Sequence, residues 1–129
     1  DSRTQGLAMR NSSRLNRAYR RLRDPLERAA YLLELAGGSS GAQDKSAPPV
    51  LLAEMMELRE SIDEARSSGN TGKLGSVRDR LLAMREASMS SIASLAREVA
   101  GVSPTAQRLL SLRQQLNAVS FIANVLKQL

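Results

Sequence analysis

Three observations predict an all-α fold. Leu, Ile, Val, Met and Ala recur at steps of three and four over long stretches, Gly and Pro are scarce inside those stretches, and the aromatics are only Tyr19, Tyr31 and Phe121. Apolar residues at that period form one face of a helix, and this composition disfavours strands. The arrangement expected is an antiparallel three-helix bundle over residues 48–129, preceded by a 37–47 linker and by two shorter helices within residues 1–36.

Residues 1–10 carry no strong pattern. A first helix is expected to start near Ser12 or Ser13, either of which suits a cap, with Leu15, Ala18, Tyr19 and Leu22 on its apolar face. Asp24-Pro25 then forms a boundary: Pro25 disfavours helix for Asp24 but suits the first position of the next one. Asp24 is placed to cap that helix, with Glu27 in the capping-box position and Leu26, Ala29, Ala30 and Leu33 on one face. Gly37 and Gly38 end it. The run Gly-Gly-Ser-Ser-Gly-Ala-Gln-Asp-Lys-Ser-Ala at 37–47 reads as a flexible linker and the domain boundary.

Pro48 and Pro49 open the helix around which the rest is organised, ending near Arg66. At a turn of roughly 100° per residue, Leu51, Met55, Leu58, Ile62 and Ala65 share one narrow stripe, the expected core face. Leu52 and Met56 lie off it by roughly 100–140° on the same arithmetic. Beyond them come Ala53, Glu57, Glu60 and Glu64. One reading is that Leu52 and Met56 widen the core contact. The other is a partner-binding surface, with soft side chains for contact and carboxylates at the rim.

After a turn at 67–72, a helix from about Lys73 to Ala100 carries Leu74, Val77, Leu81 and Met84, passes Ser88, and resumes at Ile92, Leu95 and Val99. Ser103-Pro104 reads as a cap and first helical position for a last helix with Leu109, Leu112, Leu116, Val119, Ile122 and Leu126 in phase.

The absence of Cys and His removes disulfides, the usual zinc sites, and Ser-His or Cys-His catalysis. Gly69-Asn70-Thr71-Gly72-Lys73-Leu74 lacks the ending of a phosphate loop. Neither an enzyme nor a bound cofactor is expected. The net charge of +6 is uneven: residues 1–31 hold eight arginines against three acids, and residues 48–66 hold five acids against two arginines. Such asymmetry points to two surfaces with different partners. No apolar run reaches membrane-spanning length and no signal peptide opens the chain, so no membrane is expected as partner. A chain starting at Asp1 without methionine reads as a processed form or a fragment.

Two blocks carry a family resemblance. Residues 15–33, Leu-Asn-Arg-Ala-Tyr-Arg-Arg-Leu-Arg-Asp-Pro-Leu-Glu-Arg-Ala-Ala-Tyr-Leu-Leu, resemble the last two helices of a J-domain. With Met56-Glu57-Leu58-Arg59-Glu60 following across the linker, the chain is similar to the HscB-type J-protein co-chaperones of iron–sulfur cluster assembly. The resemblance covers about residues 11–66, and the last two helices match only in length and periodicity. It implies that residues 1–36 are the C-terminal part of a J-domain and that 48–129 is a bundle that binds the IscU-type scaffold protein and serves oligomerisation. It also implies delivery of that scaffold to a DnaK/HscA-type heat-shock chaperone whose ATPase the complete J-domain stimulates.

Carried over by position, the scaffold contact falls on Leu52, Ala53, Met56, Glu57, Glu60 and Glu64, with Ala118 from the last helix and Phe121 close by. The His-Pro-Asp motif that J-domains use is absent, so this chain is expected to bind a scaffold without stimulating an ATPase; either the first part of the J-domain has been removed or this copy has lost it, and the start at Asp1 favours removal. Two rivals remain: a basic helical nucleic-acid-binding module using the arginines of residues 10–28, and a structural bundle that self-associates through the extra apolar stripe. Nucleic acid is not expected as a partner, because exposed aromatics for base stacking are lacking. A monomer or weak dimer is expected. Composition leans towards the mitochondrial matrix, with bacterial cytoplasm as the alternative.

Overall fold

A computed structural model of the chain describes residues 2–101 and 104–129, and side chains at these except 13, 14 and 16–22. Among the described residues there are five helices and no strand: α1 (Ser2–Arg23), α2 (Pro25–Leu35), α3 (Pro49–Ser68), α4 (Thr71–Val99) and α5 (Ala106–Lys127). The fold is all-α, as the periodicity predicts.

Helix α1 begins at Ser2, ten residues before Ser12. Residues 2–11 contain no proline, Gly6 alone costs about 1 kcal/mol, and once a nucleus exists each further residue adds one backbone bond. Leu7, Met9 and Leu15 on it are exposed, so the apolar face expected at Leu15 is uncovered there. Ala18, Tyr19 and Leu22 lie outside the described side chains. The Asp24-Pro25 boundary forms as its chemistry dictates: Asp24 is extended, and its carboxylate accepts from the N–H groups of Leu26 and Glu27.

The end of α2 is a Schellman motif. Gly38 N donates to Leu33 O at 2.8 Å and Gly37 N to Glu34 O at 3.0 Å, with Gly37 at φ 88°. A Cβ on Gly38 would collide with the Leu33 side chain, so glycine is required there for close approach as well. Gly69, at φ 66°, ends α3 in the same way. Asn70 accepts from Lys73 N at 3.0 Å and starts α4. Thr105, not Ser103, caps α5; Ser103 lies outside the described residues, and Pro104 precedes the helix rather than opening it.

Two adjoining apolar clusters make the core. In the first, Leu51, Met55, Leu58 and Ile62 of α3 meet Val77 and Leu81 of α4 and Ala118, Ile122 and Val125 of α5. In the second, Ile92 and Val99 of α4 and Leu112, Leu116 and Val119 of α5 are covered by Ala29 and Leu33 of α2. Buried Ser88 marks the seam on α4 between them. The three-helix arrangement is therefore completed at one end by a fourth helix, α2.

The linker is also tied down, against the flexibility its composition suggests. Asn117 Nδ2 donates to the carbonyls of Asp44 at 2.9 Å and Ser46 at 2.7 Å. Arg113 Nη1 reaches Ser39 O at 3.4 Å, and its Nε donates to Asn117 Oδ1. Burial pulls the Arg113 pKa down while the charges of Asp44 and Glu34 hold it up. Composition describes an unbound Gly/Ser chain; here α5 supplies the donors that its carbonyls need.

Candidate protein-binding surface

Helix α3 positions the surface by where it buries its other side. Leu51, Met55, Leu58, Ile62 and Ala65 are all buried. That stripe rotates Leu52 and Met56 outward, and they are 45% and 71% exposed. The wide-core reading of these two residues fails for that reason: the core is filled without them. Ala53, Glu57, Glu60 and Glu64 are exposed on the same outer side. Asp63 is exposed as well and extends the acidic rim.

One carboxylate of the rim is already engaged. Lys73 Nζ lies 2.6 Å from Glu64 Oε2. The hydrogen bond from Lys73, followed by its charge, lowers the Glu64 pKa from its ordinary value. Neither Glu57 nor Glu60 is in an ion pair among the described residues. They present open negative charge next to two apolar side chains. Such a surface suits a partner with apolar side chains and a basic margin.

Ala118 does not belong to this surface. It is 1% exposed and sits in the first core cluster with Ile122 and Val125. Positions 118, 122 and 125 fall at steps of four and three, on the face of α5 turned to α3's buried stripe. Phe121 holds the place beside the patch instead. It is half-buried against the same cluster, and the Arg59 guanidinium lies over its ring, 5.4 Å from the centroid. Arg59 stands between the buried stripe and Leu52 around α3, so Phe121 borders the outward surface through it.

Periodicity alone does not single out the polar pair Arg113 and Asn117. Its signal is there in hindsight: two long polar residues one turn apart, each next to a buried leucine, Leu112 and Leu116. Of the arginines of residues 10–28, on which a nucleic-acid reading depends, Arg14, Arg17, Arg20 and Arg21 lie outside the described side chains. Among the described residues no group of three or more acidic, His or Cys side chains is placed to hold a metal ion, and no helix is long and apolar enough to cross a membrane.

Residues 47–129 match the family described as the HSCB C-terminal oligomerisation domain. A protein of Burkholderia thailandensis named co-chaperone protein HscB homolog is 42% identical over 90 residues, covering 69% of this chain and 51% of that protein. Proteins of the same name from Burkholderia multivorans and Burkholderia vietnamiensis are 47% and 46% identical over 78 residues, covering 60% of this chain and 42% of each. The chain spans about half the length of the curated relatives it matches. No solved structure matches significantly. These relatives are bacterial, which gives the mitochondrial expectation no support and leaves its bacterial alternative.

Proposed function

The chain belongs to the family of the HSCB C-terminal oligomerisation domain, and from that premise we propose that it is the scaffold-holding part of a co-chaperone for iron–sulfur cluster assembly. Its partner in this reading is an IscU-type scaffold protein. The observation that carries the reading is the outward pair Leu52 and Met56, exposed on a helix whose core stripe is complete without them and rimmed by unpaired Glu57 and Glu60. The contact residues proposed are Leu52, Ala53, Met56, Glu57, Glu60 and Glu64, with Phe121 in place of Ala118.

Binding on this surface needs no covalent step. Covering a large apolar side chain removes it from water, at about 1.5–3 kcal/mol for complete burial and correspondingly less for the exposed fractions here. The glutamates favour a basic margin on the partner and speed its encounter. Small Ala53 contributes less contact than a larger side chain would at that position.

A DnaK/HscA-type chaperone is the second partner proposed, reached through a complete J-domain. Helices α1 and α2 are then the J-domain's end, and Leu7 and Leu15, both exposed and about two turns apart on the same side of α1, are the face its other helices cover. Without a His-Pro-Asp motif, this chain holds the scaffold and leaves the ATPase unstimulated. The bacterial relatives support the bacterial cytoplasm as its compartment.

Isothermal calorimetry with a purified IscU-type scaffold tests the reading. The parent should bind, and Leu52→Ser/Met56→Ser should lose at least tenfold in affinity with helicity by circular dichroism unchanged. Equal binding by parent and double variant would overturn it.

A further inference from the structure

A second surface is shaped to receive the first. Between α2 and α4 runs a groove of about 370 Å³ whose floor includes Leu32, Met89, Ile92, Ala93 and Ala96. Arg28 stands on the α2 side and Arg97 on the α4 side, and among the described residues no carboxylate lines it. Among the described residues neither arginine is in an ion pair; Arg97 Nε donates only to the carbonyl of its own helix at Ala93, 3.3 Å away. An apolar floor between two guanidinium groups calls for apolar side chains flanked by carboxylates.

The outer face of α3 presents that pattern. Leu52 and Met56 are one turn apart, about 6 Å along the axis, with Glu57 and Glu60 beside them. The two surfaces are opposite in charge and both are apolar at the centre. They cannot meet within one chain, because the buried stripe of α3 pins its other side to α4 and α5. We propose that the α2–α4 groove is a docking site for helix α3 of a second copy of this chain. The family's description speaks of oligomerisation without naming a surface; the geometry here names two, and makes the contact head-to-tail.

Two consequences follow from the pairing. A contact of one helix face in one groove is well below the size of a stable interface, so association is weak and salt-sensitive. It also covers Leu52 and Met56, so the self-associated form is closed to any other partner of that face. The docking itself does not depend on the scaffold reading.

Sedimentation velocity on the chain alone tests it, from about 10 µM to about 1 mM, the range suited to a contact of sub-standard size. The parent should sediment faster as concentration rises, and less so at high salt. Arg28→Glu/Arg97→Glu and Glu57→Arg/Glu60→Arg should each shift association upward in concentration by tenfold or more. Mixing those two variants should restore it, since a basic α3 then meets an acidic groove. Ala93→Arg, which fills the groove while leaving both α3 and the groove's arginines in place, should abolish association and leave scaffold titration unchanged at concentrations below those at which the parent associates. A parent that stays monomeric throughout would overturn the proposal. So would association that survives Ala93→Arg, or charge-reversed variants that remain folded by circular dichroism but fail to pair.

Discussion

Lys73 Nζ sits 2.6 Å from Glu64 Oε2, joining the last turn of α3 to the first turn of α4 at one end of the acidic surface. The pair divides the rim chemically: Glu64 is spoken for, while Glu57 and Glu60 are not. Lys73→Ala should therefore alter recognition more than stability, because both partners are solvent-accessible and such pairs add little to folding. Removing Lys73 releases a carboxylate to the surface, and scaffold affinity should rise.

The same pair sets a pH dependence. Lys73 lowers the Glu64 pKa below its ordinary 4.5, first by its hydrogen bond and then by its charge. A carboxyl whose folded pKa is lowered contributes stability above its ordinary pKa, and that contribution is lost as pH falls through the lowered value. The pair is thus intact at neutral pH and disappears only in acid, below pH 4.5. An NMR titration of the Glu64 side chain should give a lower midpoint in the parent than in Lys73→Ala. Identical midpoints would mean that the pair does not form in solution.

Asn117 is expected to hold the linker. Its amide nitrogen serves the carbonyls of both Asp44 and Ser46, at 2.9 and 2.7 Å. Asn117→Ala removes both bonds and the partner of Arg113 Nε, at about 1–2 kcal/mol for a partly exposed network. Amide hydrogen exchange over residues 39–47 should accelerate in this variant, while exchange in the centre of α4 stays slow. Equal protection of the linker in parent and variant would show that the strap is held by other contacts.

The sequence was most legible where one period decides the outcome. On α3 the apolar spacing picked out the five residues that are buried and, by subtraction, the two that are not, because each helix position has one facing. Asp24 and Gly37 were legible for a similar reason: a short-range rule involving two or three neighbours governs each. Ala118 was misplaced because a small residue reads alike on either face, and a register carried from a resemblance had to stand in for packing. The start of α1 is not legible in the sequence, since helix continuation needs no positive signal, only the absence of a proline. The strap escaped because its bonds join residues 71–74 positions apart, and composition says nothing about such pairs.

Helix α2 should melt with the bundle rather than before it. Leu33 is fully buried and shares a cluster with Ile92, Leu112 and Leu116. Leu33→Ala leaves a cavity in that shared core and should cost about 2–5 kcal/mol. Urea unfolding followed at once by helicity and by a fluorophore on α5 should show one coincident transition, moved to lower urea in the variant. A variant that loses only the α2 signal, with α5 unfolding at the parent midpoint, would show that α2 rests on the bundle without supporting it.

Phe121 and Ala118 lie three residues apart on α5, and their substitutions should fail in opposite ways. Ala118→Leu forces extra volume between α3 and α5, where no space is left, and should destabilise the fold by about 1–3 kcal/mol. Any loss of scaffold binding it causes should disappear when the fraction folded is taken into account. Phe121→Ala removes a ring at the edge of the core together with the seat of the Arg59 guanidinium. It should lower the denaturation midpoint modestly, yet weaken scaffold binding by severalfold in protein that is fully folded. Calorimetry on both variants at a temperature well below either transition separates the cases. If Ala118→Leu weakens binding while folded and Phe121→Ala does not, the contact surface runs along the inner face of α5 and the assignment of Phe121 is wrong.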